Sequence, residues 1–149
     1  MQLVLFCGIQ ASGKSTFYQQ RFFHSHVRLS LDLLRTRHRE QRLLQVCLET
    51  QMRCVVDNTN PTRAERATYL GPARVAGFET LGYFFQSVAT ESLRRNRQRP
   101  AERQVPEVGL RATRNRLELP TRSEGFDKLY FVRILEPQAF TVTDWQDEV

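Results

Sequence analysis

Residues 8–15 read Gly-Ile-Gln-Ala-Ser-Gly-Lys-Ser and follow directly on the apolar run Leu3-Val4-Leu5-Phe6-Cys7. The pattern G-x-x-x-x-G-K-[ST] demands a buried strand, a tight loop and a helix, in that order. Gly8 and Gly13 permit backbone angles that a side chain forbids, so successive N–H groups can turn inward around an anion. Lys14 adds a point charge, and the Ser15 hydroxyl is an oxygen ligand of the kind Mg²⁺ takes. A helix opening at this point adds its positive dipole end. The ligand that fits such a cradle is a nucleotide's phosphate tail. The expected binding set is Gly8, Ala11, Ser12, Gly13, Lys14, Ser15 and Thr16, with ATP or another NTP as ligand and Mg²⁺ on Ser15.

Strand and helix signals alternate along the rest of the chain, which points to an α/β sandwich with a mainly parallel sheet flanked by helices. Strands are expected at 2–7, 27–30, 54–56, 79–85 and 129–135, and a further short one at Phe140-Thr141-Val142 in a tail that ends acidic. Helices are expected at 14–23, around 32–36, over 40–51, from Asn60-Pro61 onward, over 88–98, and from Pro106 to about Leu119. Gly71-Pro72 should kink or interrupt the fourth of these, and Gly77 should end it near Ala76. With 149 residues the chain is expected to form one domain, 1–149, with an Arg-rich lid at about 95–106.

The net charge of +6 is carried almost wholly by arginine, since Lys14 and Lys128 are the sole lysines among 22 basic residues. Nine Arg and three Glu fall between Arg94 and Arg122, a segment that would draw a phosphate-rich partner. Arg95 and Arg99 lie four apart, on one side of the helix before the lid, and their forked donors match phosphate oxygens. Arg94, Arg103, Arg111, Arg114 and Arg122 read as solvated surface. Cys7, Cys47 and Cys54 sit among apolar neighbours without C-x-x-C spacing and read as buried, reduced thiols. His24 and His26 read as part of a polar loop. No run of about 18 apolar residues occurs, and the first strand leaves no room for a leader, so the expected location is cytoplasmic with no membrane contact.

Two acids follow the strands beside the loop: Asp32 after strand two, Asp57 after strand three. Asp32 and Arg35, three apart, would share a face of a helical turn. A carboxylate beside a guanidinium suits a site that takes a hydroxyl's proton while gripping an anionic acceptor. The transition state of phosphoryl transfer is loose, so an ordinary carboxylate can orient the hydroxyl and accept its proton late. Asp57 either holds a metal-bound water or fixes Arg35 by a charge-assisted bond.

These motifs together resemble the 5′-hydroxyl polynucleotide kinase family of the phage and bacterial end-healing type. Gly8 to Thr16 is similar to its loop, and Ser30-Leu31-Asp32-Leu33-Leu34-Arg35 to its D-x-x-R acceptor motif. Val55-Val56-Asp57-Asn58-Thr59-Asn60 resembles its D-x-T-N, and Arg95-Asn96-Arg97-Gln98-Arg99 with Val105-Pro106 its lid signature. The resemblance covers about residues 2–120 and implies a P-loop kinase. On it, Lys14 and Arg99 would contact the donor phosphates, with Arg95 a second lid contact. Asp32 would be general base for the 5′-OH of RNA or DNA, Arg35 would bind the acceptor's 3′-phosphate, and Asp57 would belong to the acceptor side. Relatives often carry a phosphatase or ligase module, for which this chain has no room, so a partner protein would supply such activity. Two other readings use the same loop: a small-molecule kinase for a sugar, nucleoside or antibiotic, and an NTP-gated nucleic-acid-binding module.

Overall fold

The first apolar run forms β1 (Gln2–Cys7), and both of its neighbours, β3 (Cys54–Val56) and β4 (Glu79–Phe85), run parallel to it. This computed structural model describes residues 1–135 and 138–147. Beyond β3 lies β2 (Val27–Leu29), beyond β4 lies β5 (Lys128–Leu135), and β6 (Ala139–Asp144) closes that edge antiparallel to β5. The sheet order is β2-β3-β1-β4-β5-β6. Because helices cover both faces, β1, β3 and most of β4 are buried on both sides and read as near-continuous apolar runs.

Alternation along the strands divides the core in two. Leu3, Leu5 and Cys7 pack with Leu44 and Cys47 of α3 (Arg37–Glu49), with Tyr69, Leu70 and Ala73 of α4 (Arg63–Val75), and with Trp145. Val4 and Phe6 face the other way, against Phe17 and Tyr18 of α1 (Lys14–Arg21) and against Phe85 and Val132. The expected mainly parallel α/β sandwich is therefore observed. Cys7, Cys47 and Cys54 are buried free thiols, and burial pushes the Cys7 thiol up to about 11.

Local differences from expectation have local causes. The helix expected from Asn60-Pro61 begins at Arg63, because Thr62 and Glu65 form a reciprocal capping box and Asn60 takes a left-handed φ of 44°. Pro72 does not interrupt α4. It forfeits one N–H, but the buried stripe of Tyr69, Leu70 and Ala73 carries the helix on, and the Pro72 carbonyl accepts from Ala76 N at 3.0 Å. Gly77, with φ 78°, ends that helix as expected. Past α5 (Ala89–Gln98), α6 (Glu107–Arg116) stops three residues earlier than Leu119, where Glu118 N bonds to Pro61 O over 2.8 Å. Arg114 and Arg122 are exposed but not merely solvated: they donate to the carbonyls of Ser87 (3.0 Å) and Trp145 (2.6 Å). The tail strand is longer than expected, while Pro137 and the end of the acidic tail lie outside the described residues.

Candidate active site

The sheet order reverses around β1, so the loops leaving β1, β2 and β3 meet outside the carboxyl ends of these strands, where open α/β sheets bind ligands. Residues 8–13 form the loop between β1 and α1. At Gly8 a Cβ would come within 2.9 Å of the Cβ of Phe85. Gly13 caps α1 with φ 95°, and a Cβ there would lie 2.9 Å from the Phe140 ring and 3.0 Å from Ile134. The loop is tied down along its length. Gly8 N bonds to Thr59 O and Ile9 N to Ser87 Oγ, while Ser12 Oγ donates to Ile9 O over 2.7 Å. Ile9 packs between Leu93 of α5 and Leu110 of α6, and Gln10 Nε2 donates to Thr113 Oγ1 of α6.

Ala11 is held at φ 57°, a conformation costing a side-chain-bearing residue of order 1–3 kcal/mol. Its carbonyl accepts from Arg95 Nε over 2.7 Å. Arg95 thus holds the backbone of the loop through its Nε. Arg99 is not on the same helical face. It lies one residue beyond α5, in extended backbone, which separates its direction from that of Arg95.

Lys14 Nζ folds over the loop and donates to Gly8 O (2.9 Å) and Ile9 O (2.7 Å). Burial lowers its pKa to about 8; Arg99 adds to this, and Asp57, Cys7 and Asp32 oppose it. Arg99 is likewise lowered by burial and by Arg103, with Asp32 opposing. Lys14 thus feels the charges of Asp57, Arg99 and Asp32, and Arg99 feels that of Asp32. A phosphate beside Lys14 will restore its proton, so nucleotide binding above pH 8 takes up a proton. ADP affinity is expected to fall about tenfold between pH 7 and pH 9, with proton uptake read from calorimetry in two buffers. A flat profile would mean that the ammonium is not buried in the loop.

Asp32 sits exposed in the first turn of α2 (Leu31–Leu34). The start of α2 is fixed from behind, since Leu31 N donates to Asn58 Oδ1 (2.9 Å) and Asn58 Nδ2 to Glu40 Oε2 (2.6 Å). Glu40, buried to 1% exposure, also accepts from Tyr69 OH and Arg37. Arg35 departs from the expected helical face: it is the C-cap, with φ 75° and ψ −32°, past the turn that carries Asp32. Its exposed side chain has no hydrogen bond or ion pair among the described residues. A bulky residue in that conformation is strained.

Asp57 directly follows β3 with its side chain 2% exposed, and it does not hold Arg35. Its ion pair is with Arg28 of β2, at 2.8 Å, and its Oδ2 also accepts from Ser15 Oγ at 3.1 Å. Arg28 was not among the residues expected at the site. The one signal for it is that β2 and β3 are neighbours in register, with Arg28 opposite Val55. A hydroxyl and one carboxylate oxygen side by side fit Mg²⁺, which takes few protein ligands and completes its shell with water and substrate phosphates.

The fold and loop define a P-loop kinase-type protein: a six-stranded, mostly parallel sheet with the nucleotide loop after its central strand. The chain belongs to the AAA domain family, whose model AAA_33 matches residues 35–120. It is similar to a bifunctional polynucleotide phosphatase/kinase of Schizosaccharomyces pombe, 27% identical over 131 residues, covering 84% of this chain and 32% of that protein. The chain thus spans about a third of the length of the curated relative it matches. Kti12 of Chaetomium thermophilum, solved with ADP-AlF3, superposes with a TM-score of 0.70 at 14% identity over 88% of each chain. A gluconokinase from Sinorhizobium meliloti 1021 gives 0.67 at 17% identity, over 92% of this chain and 85% of that one. Phosphoryl transfer and nucleotide binding are the chemistry that this fold supports. Among the described residues no helix is long and apolar enough to cross a membrane.

Proposed function

We propose that residues 1–149 act as one kinase domain that transfers the γ-phosphate of ATP, or another NTP, to the 5′-OH end of RNA or DNA. The observation that carries this reading is the phosphate loop itself, with Lys14 Nζ folded over Gly8 O and Ile9 O and Ser15 Oγ bonded to Asp57 Oδ2 at its helix end. The similarity to a polynucleotide phosphatase/kinase supports a nucleic-acid acceptor over a small molecule.

In this reading the amides of residues 8–16 and the Lys14 ammonium bind the donor phosphates, and Arg99 closes on them from the end of α5. Ser15 and Asp57 would hold Mg²⁺, which when bound neutralises charge on the donor phosphates. Arg95 acts indirectly, fixing the strained Ala11 so that the loop keeps its shape. Asp32 orients the acceptor hydroxyl and takes its proton as the new P–O bond forms and the bond from γ-phosphorus to the bridging oxygen breaks, releasing ADP. Its exposure leaves room for a polymer end, and Arg35, the C-cap of the same short helix, would receive the acceptor's 3′-phosphate.

The test is transfer of label from γ-labelled ATP to 5′-OH oligomers of RNA and DNA in parallel, with gluconate and bare nucleosides as competing acceptors. A nucleoside 3′-monophosphate is expected to be phosphorylated at least about tenfold more efficiently than its bare nucleoside, because one charge-assisted contact to Arg35 is worth about 1.5–3 kcal/mol. Equal turnover of the two removes Arg35 from the acceptor site. Transfer to a sugar but not to oligomers replaces this reading with a small-molecule kinase.

A further inference from the structure

The oxygen pair that fits Mg²⁺ is already engaged by a cation of the protein's own. Arg28 Nε donates to Asp57 Oδ2 over 2.8 Å, and Arg28 Nη2 donates to Ser15 Oγ over 3.1 Å. Those two acceptors are themselves bonded to each other over 3.1 Å, so guanidinium, hydroxyl and carboxylate close a triangle. Arg28 thereby occupies lone pairs on both oxygens of that pair, and its single positive charge already balances the single negative charge of Asp57. A divalent ion entering beside a fixed guanidinium would meet a like charge at contact distance.

Arg28 also has somewhere to go. Its side chain is 27% exposed, and its Cζ lies 5.7 Å from the centroid of the Tyr18 ring, a cation–π distance. Tyr18 does not move with it, because its hydroxyl donates to His26 O over 2.8 Å. A guanidinium pushed off the oxygens therefore keeps an aromatic face and gains water.

We propose that Arg28 gates the divalent-cation position: it covers Ser15 and Asp57 until a metal–nucleotide complex arrives, then yields those oxygens and rests against Tyr18. This rests on the assignment of Ser15 and Asp57 as the metal-facing pair. It carries a consequence for order of binding. The protein alone takes up divalent ions poorly, since the exchange must displace an ion pair for little gain. The phosphates of a nucleotide bring the extra negative charge that makes the exchange favourable, so cation and nucleotide enter together and the site does not fill with metal beforehand.

The test counts free Mn²⁺ by electron paramagnetic resonance while the full chain is titrated, with and without ADP, and requires no turnover. Arg28→Gln is expected to bind Mn²⁺ at least about fivefold more tightly than the wild type without ADP, and to lose most of the wild type's dependence on ADP for metal uptake. Arg28→Lys separates gating from a diffuse charge effect, because it keeps the charge but not the fork that spans two oxygens. Under gating it too binds Mn²⁺ more tightly, by about twofold or more, and it serves for the comparison if the Gln variant melts below the assay temperature. Unchanged or weaker Mn²⁺ binding by a folded Lys variant means that Arg28 is a strut between β2 and β3, and overturns the proposal. A wild type that binds ADP but never Mn²⁺ overturns the metal assignment and the gate together, while leaving nucleotide binding standing.

Discussion

Asp32→Ala should lower kcat for phosphate transfer by about 10²–10⁴ while leaving ADP affinity within about twofold, as measured by single-turnover label transfer and by calorimetry. The residue accepts no hydrogen bond among the described residues and stands exposed, so its removal opens no cavity and orphans no donor. The turn that carries it is set by Asn58 and Glu40, not by Asp32 itself. What is lost is a carboxylate whose field reaches both Lys14 and Arg99. Positioning of the donor survives, because loop amides, Lys14 and Arg99 are untouched, and the deficit should fall on the chemical step. An alanine variant that transfers phosphate at the wild-type rate would show that Asp32 does not handle the acceptor's proton.

The largest expected loss of stability lies in another acid. Glu124 and Arg66 form a bidentate pair, Nε to Oε1 at 2.8 Å and Nη2 to Oε2 at 3.1 Å, with side chains 3% and 0% exposed. The third nitrogen of Arg66 donates to Asn60 O (3.0 Å) and Pro61 O (3.2 Å), just past Asp57. Glu124→Ala leaves a guanidinium deep in the core without a counter-charge, at a cost of about 3–5 kcal/mol. For a chain of this size that lowers Tm by roughly 6–20 °C. Replacing both partners together, as Arg66→Met with Glu124→Leu, should recover much of the loss, because no charge is then stranded. If the single variant melts within about 2 °C of the wild type, the pair is solvated in practice.

The parts of this fold that were readable in the chain are those governed by neighbours in sequence. A strand covered on both faces must be apolar without interruption, which exposed β1, β3 and β4. The phosphate loop is a local conformation with local requirements, so Gly8 to Ser15 announced it. Asp57 could be placed because it follows β3, the strand beside β1 and its loop, whereas Asp32 follows the edge strand β2. What stayed hidden depends on residues far apart in the chain. Arg28 became visible only once β2 lay beside β3, for an arginine in a three-residue strand looks like any surface cation. Arg66 and Glu124, 58 positions apart, give no sign of each other. Pro72 and Arg35 were misplaced by local rules for a related reason: burial of Tyr69, Leu70 and Ala73 outweighs a missing N–H, and the backbone turns left-handed directly after Leu34.

The closing hairpin carries no recognisable motif, yet it supports the nucleotide loop. Ile134 of β5 and Phe140 of β6 lie against the underside of Gly13, close enough that even a methyl group would not fit between. Successive strand residues point to opposite faces, so sliding β6 by a single step would turn Phe140 away. The grip of the loop on a triphosphate is thus partly dictated by the pairing of two strands more than a hundred residues downstream, and errors in their alignment would be felt first as a slack anion cradle rather than as a damaged edge.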